Sequence, residues 1–417
     1  MNTPSKKAHS RSTYLIFLAW LVYSCSYIGK LSYNANLEPI TEAFGVNNAD
    51  AGQVSSFFFF AYGIGQVING LMCRRYNIKY TVFACLAVSS AINVAIPFIT
   101  FFPIVKYLWL INGIAMSFLW TILIRLLSET LPKKDISKAI VVMGTTVATG
   151  TFLVYGMSSL FVAVADFRLT FYVAAGIMIL SALVWLFTFN KCTHKDASFE
   201  EEKETAETST DDSKKSASAT SGIVILTACL AFFAVANNFT KDGLTAWTPK
   251  ILSNLYNTPQ WLSILLTLLL PALAIFGATV ALKVFKLSRS FVGACTLLFL
   301  GATVLFAIVI ALLVNATGLA LTVMIFGIVS CLMAGVNNII TSMVPLHLKD
   351  RVNSGKLAGI LNGFCYLGST ASTYILGAIS DMFDWIFVMY VLLAVCIAVI
   401  ILGVLYVIIE KIQKAKV

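Results

Sequence analysis

The sequence predicts an all-α integral membrane protein whose twelve transmembrane helices form two pseudo-symmetric six-helix bundles. Of its 417 residues, 59% are hydrophobic and only 12% are charged, whereas an average soluble domain has about 25% charged residues. Apolar runs of about 20 residues, the length that crosses a bilayer, recur along the chain. A polar segment near the middle separates six such runs from six others. These observations exclude a water-soluble fold.

The predicted spans are separated by short polar or basic breaks. They cover residues 13–33, 51–72, 80–101, 105–128, 139–163, 169–189, 222–247, 260–284, 291–314, 317–344, 355–380 and 385–409. The first run follows Lys6, Lys7 and Arg11, but it is long and ends at Gly29-Lys30 rather than at a small-residue cleavage site. We therefore interpret it as a retained span and not as a signal peptide.

Lys and Arg are distributed unevenly over the connections between the spans. Six tails and connections on one side carry three each and the central segment adds five, whereas the other side carries only Lys106, Arg168 and Lys250. Cytoplasmic connections carry the excess of positive charge. The sequence thus predicts a multi-pass protein of the cell membrane with both termini in the cytoplasm. This topology accounts for the net charge of +10, so no nucleic-acid partner is expected.

The central polar segment is predicted to be a cytoplasmic linker, because its acidic and Ser/Thr/Ala composition cannot bury a core. It divides the chain into an N-terminal bundle (1–189), a linker (190–221) and a C-terminal bundle (222–417). The halves correspond in sequence: Lys30-Leu-Ser-Tyr-Asn-Ala in span one matches Lys241-Asp-Gly-Leu-Thr-Ala in span seven. Such internal repeats are typical of secondary transporters, whose halves rock about a central substrate path.

Two lysines stand inside the apolar spans. Lys30 and Lys241 occupy equivalent positions in the first helix of each half, where a cation costs about 2.5–3.5 kcal/mol at the bilayer centre. No carboxylate in the spans is placed to pair with Lys30, and Asp242, next to Lys241, is expected to point about 100° away around the helix. Two such cations facing one cavity would form an anion site; snorkelling to the interface is the alternative.

Aromatic and amide side chains accompany these lysines and complete the predicted substrate site. They are Tyr23, Tyr27, Tyr62, Trp120, Asn337 and Tyr366. Arg125 is expected to pair with Glu129 on the same helix face instead of binding substrate. The spans show no acid placed as a proton relay, which favours exchange over proton symport.

In its first helix of each half the chain resembles the organophosphate:phosphate antiporters of the major facilitator superfamily. Tyr27-Ile-Gly-Lys30-Leu-Ser-Tyr33 is similar to that family's Tyr-x-x-Arg-Lys-Asn-Phe, and Lys241-Asp-Gly-Leu-Thr-Ala-Trp247-Thr-Pro249 to its Arg-x-Gly-x-x-x-Trp-x-Pro. The resemblance implies that Lys30 and Lys241 bind the phosphate of a sugar phosphate or glycerol phosphate. Lysine replaces the family's phosphate-binding arginine at position 30, and an ammonium binds phosphate as a point charge rather than bidentately.

The expected function is therefore secondary transport of a small anion, an organophosphate exchanged for phosphate by alternating access. A carrier of another organic anion, such as a carboxylate or a sugar acid, is one alternative, and a transport-inactive membrane sensor is another. We expect a monomer in the lipid bilayer, without cofactor or metal. An enzyme is not expected, since the sequence shows no catalytic dyad or metal-binding motif and its three His lie outside the spans or at their edges.

Overall fold

The computed structural model describes residues 4–72, 75–193, 217–314, 317–348, 351–352 and 354–415. Within these ranges the chain forms helices joined by short connections and contains no β-strand. The greater part of the predicted linker, residues 194–216, lies outside the described residues.

Eight helices build the first half, six of them long. They are α1 (Pro4–Ala35), α2 (Leu37–Phe44), α3 (Asn48–Met72), α4 (Ile78–Ala95), α5 (Val105–Thr130), α6 (Lys133–Gly144), α7 (Thr146–Val164) and α8 (Arg168–Thr193). The short α2 was not predicted. It ends at Gly45, whose left-handed backbone (φ 61°) terminates the helix, and Asn47 then begins α3 by accepting a hydrogen bond from the Asp50 amide at 2.7 Å.

The second half has the same plan with more interruptions. Its helices are α9 (Ala217–Tyr256), α10 (Gln260–Thr267), α11 (Leu269–Ala274), α12 (Gly277–Ser288), α13 (Phe291–Val314), α14 (Leu319–Asn338), α15 (Val344–His347), α16 (Ser354–Met382) and α17 (Trp385–Ala415). Pro271 lacks a backbone N–H to pair with the carbonyl of Thr267, which explains why α10 ends there. A π-helical turn, Ile339–Met343, joins α14 to α15.

The number of spans agrees with the prediction. Among the described residues, nine helices are long and apolar enough to cross a membrane, and the pair Gln260–Ala274 and Gly277–Ser288, bent by 45°, makes a tenth. The two remaining spans are α3 and α16, which are 25 and 29 residues long and less apolar. They pack against each other, and their other faces carry exposed apolar side chains such as Ile64 and Leu367.

The helices group into two bundles. In the first, α1 packs on α7 and α8, and α3 on α5; in the second, α9 packs on α14, α16 and α17. The bundles meet mainly where α3 packs on α16 and α7 on α10. We call the end of the molecule where α3 begins and α16 ends the distal end, and the opposite end, where α1 begins, the proximal end.

Glycines allow the closest approaches between these helices. A Cβ atom on Gly63 of α3 would lie 2.7 Å from Cβ of Tyr366 on α16, and one on Gly150 of α7 would lie 2.6 Å from the Ser24 carbonyl of α1. These two positions require glycine because a side chain would push the paired helices apart. Gly359 of α16, by contrast, has open space around it.

Candidate functional site

Lys30 lies in a cage of three tyrosines. Tyr23 and Tyr27 precede it by seven and three residues on α1, so all three side chains share one helix face, and Tyr62 faces them from α3. The Lys30 ammonium lies 4.0 Å from the ring centroid of Tyr62, 4.2 Å from that of Tyr27 and 5.7 Å from that of Tyr23. The lysine is only 6% exposed, and no carboxylate of the described residues forms an ion pair with it. Cation–π attraction to the ring faces compensates part of its lost hydration.

Further aromatic side chains hold this cage in place. The ring centroid of Trp120 on α5 lies 4.9 Å from that of Tyr23, and Tyr366 on α16 lies 4.8 Å from Tyr62. The Gln66 amide donates to the Tyr62 hydroxyl at 3.0 Å. Six of the predicted site residues thus form one cluster, and Tyr366 brings the second bundle into contact with it.

Lys241 has different surroundings, and the expectation for its neighbour was wrong. Its ammonium lies 3.3 Å from Oδ1 of Asp242, and both side chains are partly exposed, by 27% and 20%. The Cα–Cβ bonds of adjacent helical residues do point about 100° apart. The four methylenes of lysine nevertheless let the ammonium reach back to the carboxylate.

Asp242 also joins two helices of the second bundle. Its Oδ2 atom accepts hydrogen bonds from Ser369 Oγ on α16 at 2.5 Å and from the Asn238 amide on α9 at 3.1 Å. Asp242 was not among the site residues expected from the sequence. The signal was present in the run Asn237-Asn238-Phe-Thr-Lys-Asp, which is polar within an otherwise apolar span.

The two lysine environments are connected through shared neighbours. Lys241 lies within electrostatic range of Tyr27 of the cage and of Cys365 on α16. The Cys365 thiol in turn donates to Oδ1 of Asn337 at 3.6 Å, which links the predicted amide to the Lys241 side of the cluster.

A cavity of about 660 Å³ opens between the bundles nearer the proximal end. Its walls come from the start of α7, the α11–α12 region, the end of α14 and the π turn. The polar lining residues are Thr145, Thr149, Asn337, Asn338, Thr341 and Ser342. Of the predicted site residues only Asn337 lines this cavity, and neither lysine is among the described residues that do. A π turn beside a cavity is a common feature of functional sites in helices.

The distal end is closed by hydrogen bonds between the bundles. Asp381, at the end of α16, accepts from the backbone amides of Asn48 and Ala49 at 3.0 and 2.7 Å, so a carboxylate of one bundle caps the first turn of α3 in the other. Ser56 of α3 donates to the Thr370 carbonyl at 2.6 Å. The structure therefore has its bundles joined distally and parted at the cavity.

A second distal contact involves α2 and α9. The Lys250 ammonium donates to Oγ1 of Thr41 at 2.7 Å, and the Ser253 hydroxyl donates to Oε1 of Glu38. Glu38 is 3% exposed, and its Oε2 atom is buried without a hydrogen-bond partner among the described residues. The contact therefore encloses a carboxyl group that is only half satisfied.

The sequence was compared with those of characterised proteins. The membrane sensor protein UhpC of Salmonella typhimurium is 24% identical over 115 residues, which are 28% of this chain and 26% of that protein. UhpC of Escherichia coli is 25% identical over 100 residues, 24% of this chain and 23% of that protein. The chain thus matches about a quarter of the length of these relatives.

Solved structures share the whole architecture at low sequence identity. A bacterial homologue of the human lysosomal transporter Spinster, in an inward-facing and unoccupied conformation, has a TM-score of 0.74 at 13% identity, covering 95% of this chain and 96% of that one. The nucleoside transporter NupG has a TM-score of 0.68 at 14% identity, covering 94% and 98%. The family profile of the Major Facilitator Superfamily matches residues 19–354. Because this match spans most of the sequence and the fold is that of solved transporters, the chain belongs to the Major Facilitator Superfamily.

Proposed function

We propose that the protein is a secondary transporter of small anions that exchanges an organophosphate for phosphate by alternating access. The observation that carries this proposal is the environment of Lys30, a buried cation with aromatic rings around it and no carboxylate partner in the part of the chain that the structure describes. The substrate anion would supply the missing charge.

The energetics favour an anionic ligand at this position. Burying an ammonium at membrane depth costs about 2.5–3.5 kcal/mol, and a cation–π contact returns about 0.5–2 kcal/mol. A negative ligand placed against Lys30 would gain the full attraction of a poorly solvated charge. Tyr27 and Tyr62 would keep the ammonium in position and contribute hydroxyl groups as hydrogen-bond donors to the anion.

An organophosphate is proposed on the basis of the residues around both lysines. The motif from Lys241 to Pro249 resembles the seventh helix of organophosphate:phosphate antiporters, and Lys30 stands at the position of their phosphate-binding arginine. Once the Lys241–Asp242 ion pair opens, the two ammonium groups together would suit a doubly charged phosphate better than a single carboxylate. If the unloaded carrier changes conformation slowly because the charge of Lys30 is uncompensated, it must bind a second anion before it can return, and the result is exchange.

The arrangement of the bundles supports alternating access. The distal contacts of Asp381 and Ser56 would break, and the proximal cavity would close, as one bundle rocks against the other. We further propose, from the excess of Lys and Arg on the proximal side, that this side is cytoplasmic and that the protein functions as a monomer in the cell membrane.

The proposal is tested with purified protein in liposomes loaded with phosphate. We expect labelled phosphate to enter only when phosphate is present inside, and a sugar phosphate or glycerol phosphate to inhibit it. Lys30→Gln and Lys241→Gln should each abolish exchange while the thermal unfolding temperature stays close to that of the wild type.

Lys106→Gln is the matched control for these variants. Lys106 also lies near aromatic rings, 5.6 Å from Phe57 and 5.5 Å from Tyr107, and it donates to Gln53 at 2.9 Å. It stands at the distal end of α5, away from the cluster, so this variant should exchange phosphate normally. Normal exchange by both Lys30→Gln and Lys241→Gln would refute the proposal.

Two other functions remain candidates. Competition by carboxylates or sugar acids, without competition by organophosphates, would indicate a carrier of another organic anion. The second candidate is a transport-inactive membrane sensor, which the local similarity to the membrane sensor protein UhpC supports. A folded wild-type protein that binds the anion but does not move it would support that function.

A further inference from the structure

The two lysines of the site are compensated in different ways. Lys30 in the first bundle is surrounded by tyrosines and, among the described residues, has no carboxylate in an ion pair with it, whereas Lys241 in the second bundle is held at 3.3 Å by Asp242. If the pseudo-symmetric helices acted identically, both cations would be open to the substrate. Instead, the Lys241 ammonium is already paired with Asp242, a carboxylate of the protein itself.

Asp242 is held in place by polar groups that suit its ionised form. Its oxygens receive hydrogen bonds from Ser369 and Asn238 in addition to the Lys241 ammonium. The other titratable groups that face it are Cys365 and Tyr366 on α16 and Tyr155 on α7. All three are neutral in their ordinary state at physiological pH, so Lys241 is the counter-charge of Asp242.

The same carboxylate would obstruct an anion that approaches Lys241. A ligand that contacts the ammonium also comes close to Asp242, and two negative charges in a poorly hydrated site repel each other strongly. Protonation of Asp242 removes this repulsion and frees the ammonium. Both side chains keep about a quarter of their surface exposed, which leaves a proton donor room to reach the carboxylate.

We propose that Asp242 is the resident counter-ion of Lys241 in the unloaded site and that it takes up one proton when the anion binds. The inference rests on the proposed function and deepens it, since the substrate is then carried together with a proton. It also revises the expectation, made from the sequence, that no acid of the spans serves proton coupling.

The steps conserve charge and protons. Water at the open end gives a proton to a carboxylate oxygen of Asp242, the ion pair with Lys241 breaks, and the ammonium pairs with the anion. At the other end of the membrane the anion leaves, the proton returns to water, and the Lys241–Asp242 pair forms again. The unloaded site then carries only the charge of Lys30, as the proposed exchange requires, and each anion that crosses the membrane brings one proton with it.

A purely structural function of Asp242, tying α9 to α16 through Ser369, makes a different prediction. It would affect folding and thermal stability but would leave the number of protons bound with the anion unchanged. The deciding measurement is therefore the proton stoichiometry of anion binding, which structural loosening does not alter.

The experiment measures inorganic phosphate binding to the purified full-length protein by calorimetry at about pH 6 and about pH 8, in buffers of different ionisation enthalpy. Phosphate itself titrates in this range, so the measured quantity is the difference between the wild type and Asp242→Asn. We expect the wild type to take up about one more proton per phosphate than the variant. Because one extra bound proton changes the affinity about tenfold per pH unit, the affinity of the wild type should fall about a hundredfold more than that of the variant between the two pH values.

Asp166→Asn is the control, because Asp166 forms an ion pair with Arg168 at 3.0 Å on an exposed turn, and it should behave as the wild type does. Should Asp242→Asn not fold, the protons taken up by the wild type beyond the known protonation of phosphate give the same test. Phosphate binding with equal proton uptake in wild type and variant would overturn this inference and leave anion transport standing. No phosphate binding by folded wild-type protein would overturn the proposed function and the inference together.

Discussion

Replacing Glu38 by glutamine should keep the distal end closed at neutral and alkaline pH. Burial raises the pKa of the Glu38 carboxyl from its ordinary 4.5 to about 7. The hydrogen bond from Ser253 opposes this rise, nearby Glu42 adds to it, and Lys250 opposes it through its positive charge. The closed distal end therefore binds a proton that an open, hydrated Glu38 would release.

The sign and size of the effect follow from this shift. At acidic pH the carboxyl is protonated in both states, and closure is unaffected. As the pH rises from 4.5 to about 7, the open state loses its proton first, so the closed state becomes progressively less stable relative to it. A shift of this size corresponds to about 3 kcal/mol, or about a hundredfold in the equilibrium between closed and open distal ends.

Spin labels on the exposed Ala43 of the first bundle and Asn254 of the second, placed after replacement of the native cysteines, report this equilibrium as a distance. For the wild type we expect the population with the longer distance to grow as the pH rises from 4.5 to about 7 and to change little above that. Glu38→Gln should keep the short distance throughout, because an amide cannot ionise. Glu42→Gln changes an exposed carboxyl on the same helix and removes only its contribution to the Glu38 shift, so this variant should still open as the pH rises, with a smaller amplitude. A Glu38→Gln protein that opens with the same pH dependence as the wild type would refute the reasoning.

Two further substitutions test the packing and the cap that position the site. Gly63→Val should lower the unfolding temperature and slow phosphate exchange, since the new side chain overlaps Tyr366 and overpacking costs about 1–3 kcal/mol. Gly359→Val, in open space on α16, should change the unfolding temperature and the exchange rate far less. Equal effects of the two substitutions would contradict this account. Asp381→Ala should favour the longer label distance by about 1 kcal/mol, because the first turn of α3 loses its cap. Asp384 accepts a hydrogen bond from the Phe387 amide at 2.6 Å within the second bundle, so Asp384→Ala should lower thermal stability without altering the label distance. A change in label distance equal to that of Asp381→Ala would show that the cap between the bundles has no special effect.

Most of the spans were predictable because hydropathy and length select the helices that cross a bilayer. The short helix α2 was missed because it lies outside the apolar runs. The breaks between α10, α11 and α12 were missed as well, although Pro271 was a visible cause. The predicted linker at 190–221 stays a prediction, since residues 194–216 lie outside the described part of the chain.

The candidate site was only partly predictable. A lysine among apolar residues is conspicuous, so Lys30 and its tyrosines could be found from helical spacing. Asp242 was misjudged because the direction of a Cα–Cβ bond does not determine where a long side chain ends. The contacts of Asp381 with Asn48 and Ala49 join residues more than 300 positions apart, and no local pattern encodes such a pairing. The cavity could not be predicted either, because its presence depends on which end of the molecule is closed.

Closure of the distal end completes the N-terminal cap of α3, because Asp381 supplies that cap from the other bundle. The amides of Asn48 and Ala49 are the first donors of α3 and have no partner within their own helix. While the bundles are joined, these two protons are held by a carboxylate of the other half; when the bundles part, they are exposed to solvent. The rate at which these two amides exchange hydrogen for deuterium therefore reports the opening of the distal end without an attached label.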